Sequence, residues 1–273
     1  MNQRINSYDL SFIFNSSNGN SYRITDKEDY NKTLLVTADS LTYLFNKNVG
    51  IILSWPEQVK NNMYWSHNTI IDNVINLELM FAAYRNSDNP LYTSLAVSHA
   101  DVTIKNYIRT DSTVYHVLVY DDKTGECIRK CTHQAYADNF LWASGKAWAI
   151  YGYTMCYKET GYEKHLKTAK ELTAAYLKRL PEDYIRFWDL DDLKIQNTAT
   201  EAAVIVVSGL WELSELEKNK TEKVYLKNAA EKMLRSLSSS SETENAAFLL
   251  HSTRNRSKKG EADIPIIITL RPK

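Results

Sequence analysis

The sequence carries no net charge: Lys and Arg number 33, and so do Asp and Glu. That balance leaves no basic footprint for nucleic acid and no long-range field to steer polyanions, so an acidic ligand has to be met by local groups. Long apolar runs are missing too. The longest patches, such as 202–207, fall far short of the ~18 residues that cross a bilayer, which excludes a membrane-spanning helix. The opening MNQRINSYDLSF lacks the basic, apolar and small-residue succession of a secretory leader. As written, the product is expected to stay in the cytoplasm. Cysteine is scarce, and the three present, Cys127, Cys131 and Cys156, suit a reducing compartment rather than a disulfide framework. Cys127 and Cys131 beside His133 suggest a metal site. The second pair of ligands is absent, which favours ordinary thiols and no metal.

What the chain does have is apolar substance and helical rhythm. At 273 residues, 44% hydrophobic and 24% charged, it can bury a sizeable core as one large domain or two small ones. Residues 9–14 read as a short helical piece and SSNGNSY as a turn. A helix follows with Tyr30, Leu34, Ala38, Leu41 and Phe45 on one stripe, ending near Asn48 to Gly50. Residues 66–85 predict a second helix, with Ile70, Val74, Leu77, Phe81 and Tyr84 in line. Asn89-Pro90 opens a third, running to about Arg109. YHVLVY, DDKTGE and ECIRKC then read as strand, turn and strand. Helices are expected again at 162–180, stopped by Pro181, at 198–216 and at 221–237. Repeated helix pairs with one β-hairpin and no linker point to a toroid of helix pairs.

The densest stretch is 132–160, THQAYADNFLWASGKAWAIYGYTMCYKET. From Asn139 to Tyr157 nearly every position is apolar, aromatic or small, and a helix with no wet face belongs in an interior. Ala143, Gly145, Ala147 and Gly152 let neighbouring backbones approach, while Trp142, Trp148, Tyr151 and Tyr153 supply flat faces. His133 and Gln134 are expected to enter a mostly buried environment, where polar groups must find partners.

The order THQ-x-YAD-x-x-x-WA-x-G-x-AW-x-x-YGY resembles the signature of the unsaturated glucuronyl hydrolases, glycoside hydrolase family 88. The resemblance implies an all-α (α/α)6 barrel, here one domain over 1–273 with a β-hairpin insertion and without the family's first helices and last helix. It also implies a reaction. The substrates end in an unsaturated uronic acid with a C4=C5 vinyl ether; the enzyme protonates C4 and adds water at C5, and the hemiketal opens to release the neighbouring sugar. No metal or organic cofactor is required. The expected partner is an unsaturated oligosaccharide, with no nucleic acid and no membrane. Unsaturated rhamnogalacturonyl hydrolases share fold and chemistry, but the THQ-x-YAD details fit the glucuronyl side better.

Residue by residue, IIDNVINLELM is similar to the segment around the family's catalytic Asp, so the resemblance gives that role to Asp72. On its own an Asp there reads equally as an acid in an apolar wall, with a raised pKa, or as one turned to solvent. Asp9 in YDLSF resembles the second carboxylate, with Tyr8 and Ser11 replacing a His and a Gly; otherwise it would be a helix cap. His116, His133, Gln134, Trp142 and Trp148 carry over as substrate contacts, Trp148 offering a stacking face. Ser144 stands where the family has a substrate-binding Arg, and Lys146 where it has Gln. Two residues on is roughly 200° round a helix, so Lys146 is not expected to replace that cation. Ala199-Thr200-Glu201-Ala202 replaces Asp-x-Ser-Ala. These departures leave a second reading open, a catalytically impaired remnant with at most sugar affinity.

Overall fold

Short polar side chains that bond back to their own helix shape the first segment of the structure, a computed structural model that describes residues 9–60, 65–134, 138, 141–182, 184 and 199–240, with the strand pieces 248–249, 253–255, 260–261 and 264–265. Ser11–Gly19 forms a widened, π-type helix that continues into α1 (Asn20–Thr25). Ser17 Oγ donates to the Ile13 carbonyl, Asn20 Nδ2 to Ser16 O at 2.7 Å and Thr25 Oγ1 to Ser21 O at 2.7 Å. The stretch expected as a turn is therefore helical, because its Ser and Asn side chains supplement the helix bonds instead of breaking them.

The remaining helices are α2 (Glu28–Leu44), α3 (Pro56–Lys60), α4 (Asn76–Ser87), α5 (Pro90–Tyr107), α6 (Ala143–Thr160), α7 (Glu163–Leu177), α8 (Thr200–Leu216) and α9 (Lys220–Ser240). The strands are β1 (Phe45–Asn46), β2 (Ile51–Ile52), β3 (His67–Ile70), β4 (Val117–Tyr120), β5 (Cys127–Cys131) and four short ones beyond α9. No helix among the described residues is long and apolar enough to cross a membrane. The chain gathers into two compact units, Met1–Tyr107 with Val117–Lys130, and Ile108–His116 with Cys131–Lys273.

In the first unit α2 buries Asn31, Leu34, Thr37, Ala38 and Leu41, residues three or four apart on one face, against α4 and α5. Phe45 leaves the expected stripe and starts β1, which pairs with β2. Asp88, at a left-handed φ of 55°, ends α4, and Asn89 Oδ1 accepts the Leu91 amide at 3.1 Å to start α5. The expected helix over 66–85 begins later. His67–Ile70 instead forms β3, antiparallel to β4 in register Ile70 to Val117, so the expected hairpin is a three-stranded sheet in the order β3-β4-β5. β-Branched Thr69, Ile70 and Ile71 favour the pleated surface, and the helix pattern wins only from Asn76. The DDKTGE turn is tied by Asp121 Oδ1, which accepts the amides of Lys123 and Thr124 at 2.9 and 2.7 Å.

In the second unit α8 packs on both α6 and α9, and α7 on α6. The all-apolar expectation for α6 holds for its packing: Ala147, Ile150, Gly152, Tyr153 and Cys156 are all buried. Its start is later than expected, at Ala143, after Trp142 in extended conformation. Gly209 of α8 lets the two backbones meet, since a Cβ there would lie 3.1 Å from Ile150 Cγ2 and 3.3 Å from the Tyr151 backbone. Gly161, at φ 69°, closes α6.

Candidate functional site

In the first unit the two predicted acids come together. Asp72 does not sit mid-helix as expected; it occupies the first turn of the 3-10 segment Ile71–Ile75, directly after β3. Ile70, Ile71 and Val74 around it are buried. The residue is half-buried, but Oδ2 is shielded from solvent. Burial pushes its carboxyl up to about 7, with the nearby Asp9 charge adding to the rise and its own backbone N–H opposing it. Asp9 is itself raised by burial. A proton is therefore held on Asp72 close to neutral pH, the condition for a general acid.

A buried amide network holds these acids near one another. Asn76 Oδ1 accepts the Ser11 amide at 3.0 Å, two residues from Asp9. Asn76 Nδ2 donates to Asn73 Oδ1 at 2.6 Å, and Asn73 Nδ2 donates to Ile52 O at 2.9 Å and Thr69 Oγ1 at 3.4 Å. The segments carrying Asp9 and Asp72 are thus hydrogen-bonded to one another and to β2. Asn73 and Asn76 escape a reading by side-chain chemistry. Their signal is position: two asparagines beside Asp72 in the otherwise apolar IIDNVINL need buried partners.

In the second unit His116 is the organising residue, 4% exposed. Its Nδ1 accepts the backbone amides of His133 at 3.1 Å and Gln134 at 3.3 Å, which leaves the hydrogen on Nε2. Thr132 Oγ1 lies 3.3 Å from the same nitrogen, and the Trp142 ring is tilted against the imidazole at 4.5 Å. Burial pushes His116 down to about 3, with His133 adding to the fall, so it stays neutral. Because Nδ1 is taken, any contact of His116 with a ligand falls to Nε2. His133 is exposed and Gln134 half-buried, contrary to the buried surroundings expected, because both lie on the loop before α6 rather than within its packing.

Trp142 is buried and its indole Nε1 has no hydrogen-bond partner among the described residues. Trp148 is half-buried and meets Tyr151 edge to face at 6.0 Å. Ser144 is 3% exposed, and its Oγ donates to Glu201 Oε1 at 3.0 Å. Glu201 is a residue whose partner the sequence left unread: Ser144, a departure from the family pattern, is matched by a second departure on α8. Lys146 is fully buried and its Nζ donates to the Ser112 carbonyl, whereas the Ser144 hydroxyl bonds Glu201. The three cysteines are free thiols, and no group of three or more His, Cys, Asp or Glu suited to a metal occurs among the described residues.

No family model matches the sequence. The chain is 39% identical over 251 residues to an unsaturated glucuronyl hydrolase of Formosa agariphila, an alignment covering 89% of this chain and 61% of that protein. It is 32% identical over 233 residues to an unsaturated chondroitin disaccharide hydrolase of Streptococcus pneumoniae, covering 84% of this chain and 58% of that protein. The chain thus spans about three fifths of the curated relatives it matches. The crystal structure of an unsaturated glucuronyl hydrolase specific for heparin superposes with a TM-score of 0.89 at 33% identity, over 96% of this chain and 71% of that one. The solved relatives are (α/α)6 barrels, and the all-α (α/α)6 class expected from the sequence holds.

Proposed function

The chain belongs to the unsaturated glucuronyl hydrolase family, and on that premise we propose that it hydrates the C4=C5 vinyl ether at the non-reducing end of lyase-generated unsaturated oligosaccharides, releasing the neighbouring sugar. The observation that carries the reading is the carboxyl of Asp72, raised to about 7 beside a second carboxylate. Asp72 gives its proton to C4, and the ring oxygen spreads the positive charge that develops at C5. Water adds at C5, and the Asp72 carboxylate takes the proton that the water loses. The opened hemiketal expels the neighbouring sugar. Asp9 supports the cycle by its charge, because a second negative group nearby favours a protonated Asp72. Separation of the two carboxylates does not report inversion or retention here, since carbon rather than the glycosidic oxygen is protonated.

For the second unit, a sugar-contacting role falls to His133, Gln134, Trp142, Trp148 and Ser144, with His116 as contact through Nε2. The Ser144 hydroxyl and the Glu201 carboxylate replace a planar cation by neutral and negative groups, which weakens the hold on an acidic sugar. That pair is the specific observation favouring the impaired reading.

The test is the ultraviolet absorbance of the conjugated C4=C5 carboxylate in an unsaturated chondroitin disaccharide. The protein is expected to remove it, and Asp72→Asn to slow the removal by roughly 10²–10⁴-fold, the usual worth of a general acid. Equal rates for the two proteins remove Asp72 from its role. No loss with either leaves the remnant reading.

A further inference from the structure

The chemistry above makes no use of Lys146, although it is the one charged side chain among the largest fully buried groups of the described residues. Taking an ammonium group into an interior carries a desolvation penalty, and a methionine of similar volume would avoid it. What the lysine adds is a donor. Its Nζ donates to the carbonyl of Ser112, a non-glycine residue at φ 59°. Such a left-handed residue persists only where its surroundings impose the conformation.

Three further ties converge on the same turn, all within the second unit. The backbone closes through Arg109 N to Thr113 O at 2.8 Å and Ser112 N to Arg109 O at 3.0 Å. Asp111 Oδ1 accepts the Thr113 amide at 3.0 Å, while Oδ2 meets Arg179 Nη2 at 3.5 Å. Arg109 lies over the Tyr115 ring at 4.1 Å and donates from Nη2 to Asp138 O at 2.9 Å; Asp138 Oδ1 in turn accepts the Thr132 amide at 2.8 Å. The turn is joined at Ile108 and Val114 by a β-bridge, two residues before His116.

We propose that Lys146 is a positioning residue: by holding the Ser112 carbonyl it fixes the turn 109–113, and the turn fixes the setting in which His116 receives the amides of His133 and Gln134. Burial pushes the Lys146 ammonium down to about 7, with Arg179 lowering it further and Asp111 opposing. Both protonation states carry N–H, so the tie to a carbonyl survives either. The consequence for turnover rests on the proposed function; the consequence for His116 does not.

The experiment compares the full chain with Lys146→Met, which keeps length and apolar bulk but loses the donor. Ring-nitrogen NMR on histidine-labelled protein reads the His116 tautomer, thermal unfolding reads stability, and loss of ultraviolet absorbance reads kcat and KM. The expected result is a Tm unchanged or raised, a His116 signal that leaves the single Nε2–H form, and kcat/KM down by about tenfold to hundredfold, as for a misplaced contact. A wild-type His116 signal in Lys146→Met overturns the proposal. If the wild-type protein shows no turnover, the proposed function fails while the ring signal still decides this inference. Should Lys146→Met not fold, Asp111→Ala at the exposed side of the turn, which removes the acceptor of the Thr113 amide and the Arg179 tie, shifts the same ring signal by a smaller amount, and an unmoved signal overturns the proposal equally.

Discussion

Single residues set opposing responses to acid. His67, His99 and His116 are pushed by burial from 6.5 to about 4, 3 and 3. Each contributes stability that is complete above pH 6.5 and is lost as the pH falls toward the folded value, because the unfolded chain takes up the proton first. Asp72 runs the other way. Its value rises from 3.8 to about 7, so its contribution is complete below 3.8 and lost as pH rises through 7. Asp9, also raised by burial, acts in the same direction as Asp72, but three imidazoles outnumber the two carboxyls, and the Tm is expected to fall as pH drops from 6.5 to 4. Asp72→Asn is expected to steepen that fall and to raise the Tm at pH 7.5; calorimetry across this range checks both, and a variant less stable at pH 7.5 contradicts the assignment. At this scale the sequence alone left Asp72 open between an acid in an apolar wall and one turned to solvent, which the buried Ile70, Ile71 and Val74 decide for the wall. It could not give the orientation of His116, which depends on two backbone amides seventeen and eighteen residues away.

Elements were legible where one period dominated. α2, α5, α7, α8 and α9 follow the three-and-four spacing or the Asn-Pro start, and they lie close to where the pattern puts them. β3 was not legible, since HNTIIDNVI fits a buried strand as well as a helix face, and only pairing with β4 decides. Glycines separate the kinds of strain these elements tolerate. Gly209→Ala on α8 regains about 1 kcal/mol of helix propensity and loses about 1–3 kcal/mol to crowding against α6, so the net loss is small. Gly125→Ala has no such offset: φ is 75° and a Cβ would lie 2.2 Å from the Asn48 carbonyl oxygen. Urea unfolding of both variants is expected to rank Gly125→Ala as the more damaging, and the reverse order would contradict this account of the turn.

The whole molecule is electrically balanced, so on the proposed function an acidic sugar meets no long-range pull. With no net field, capture depends on short-range groups, and kcat/KM on a uronic-acid substrate is expected to change by less than about threefold between 50 and 300 mM NaCl. A steep inverse dependence would mean that a local positive patch steers the ligand. The family was readable from the ordered block 132–160, whereas the grouping into two compact units was not, because the chain passes between them three times, at 107–108, 116–117 and 130–131, with no linker composition at any of them. One arrangement in the second unit has a wider bearing. Two successive peptide N–H groups share a single imidazole nitrogen as their common acceptor. His133 and Gln134 are therefore hung from one peg, and a disturbance felt by either is passed to its neighbour, so the two positions shift as one hand rather than as two fingers.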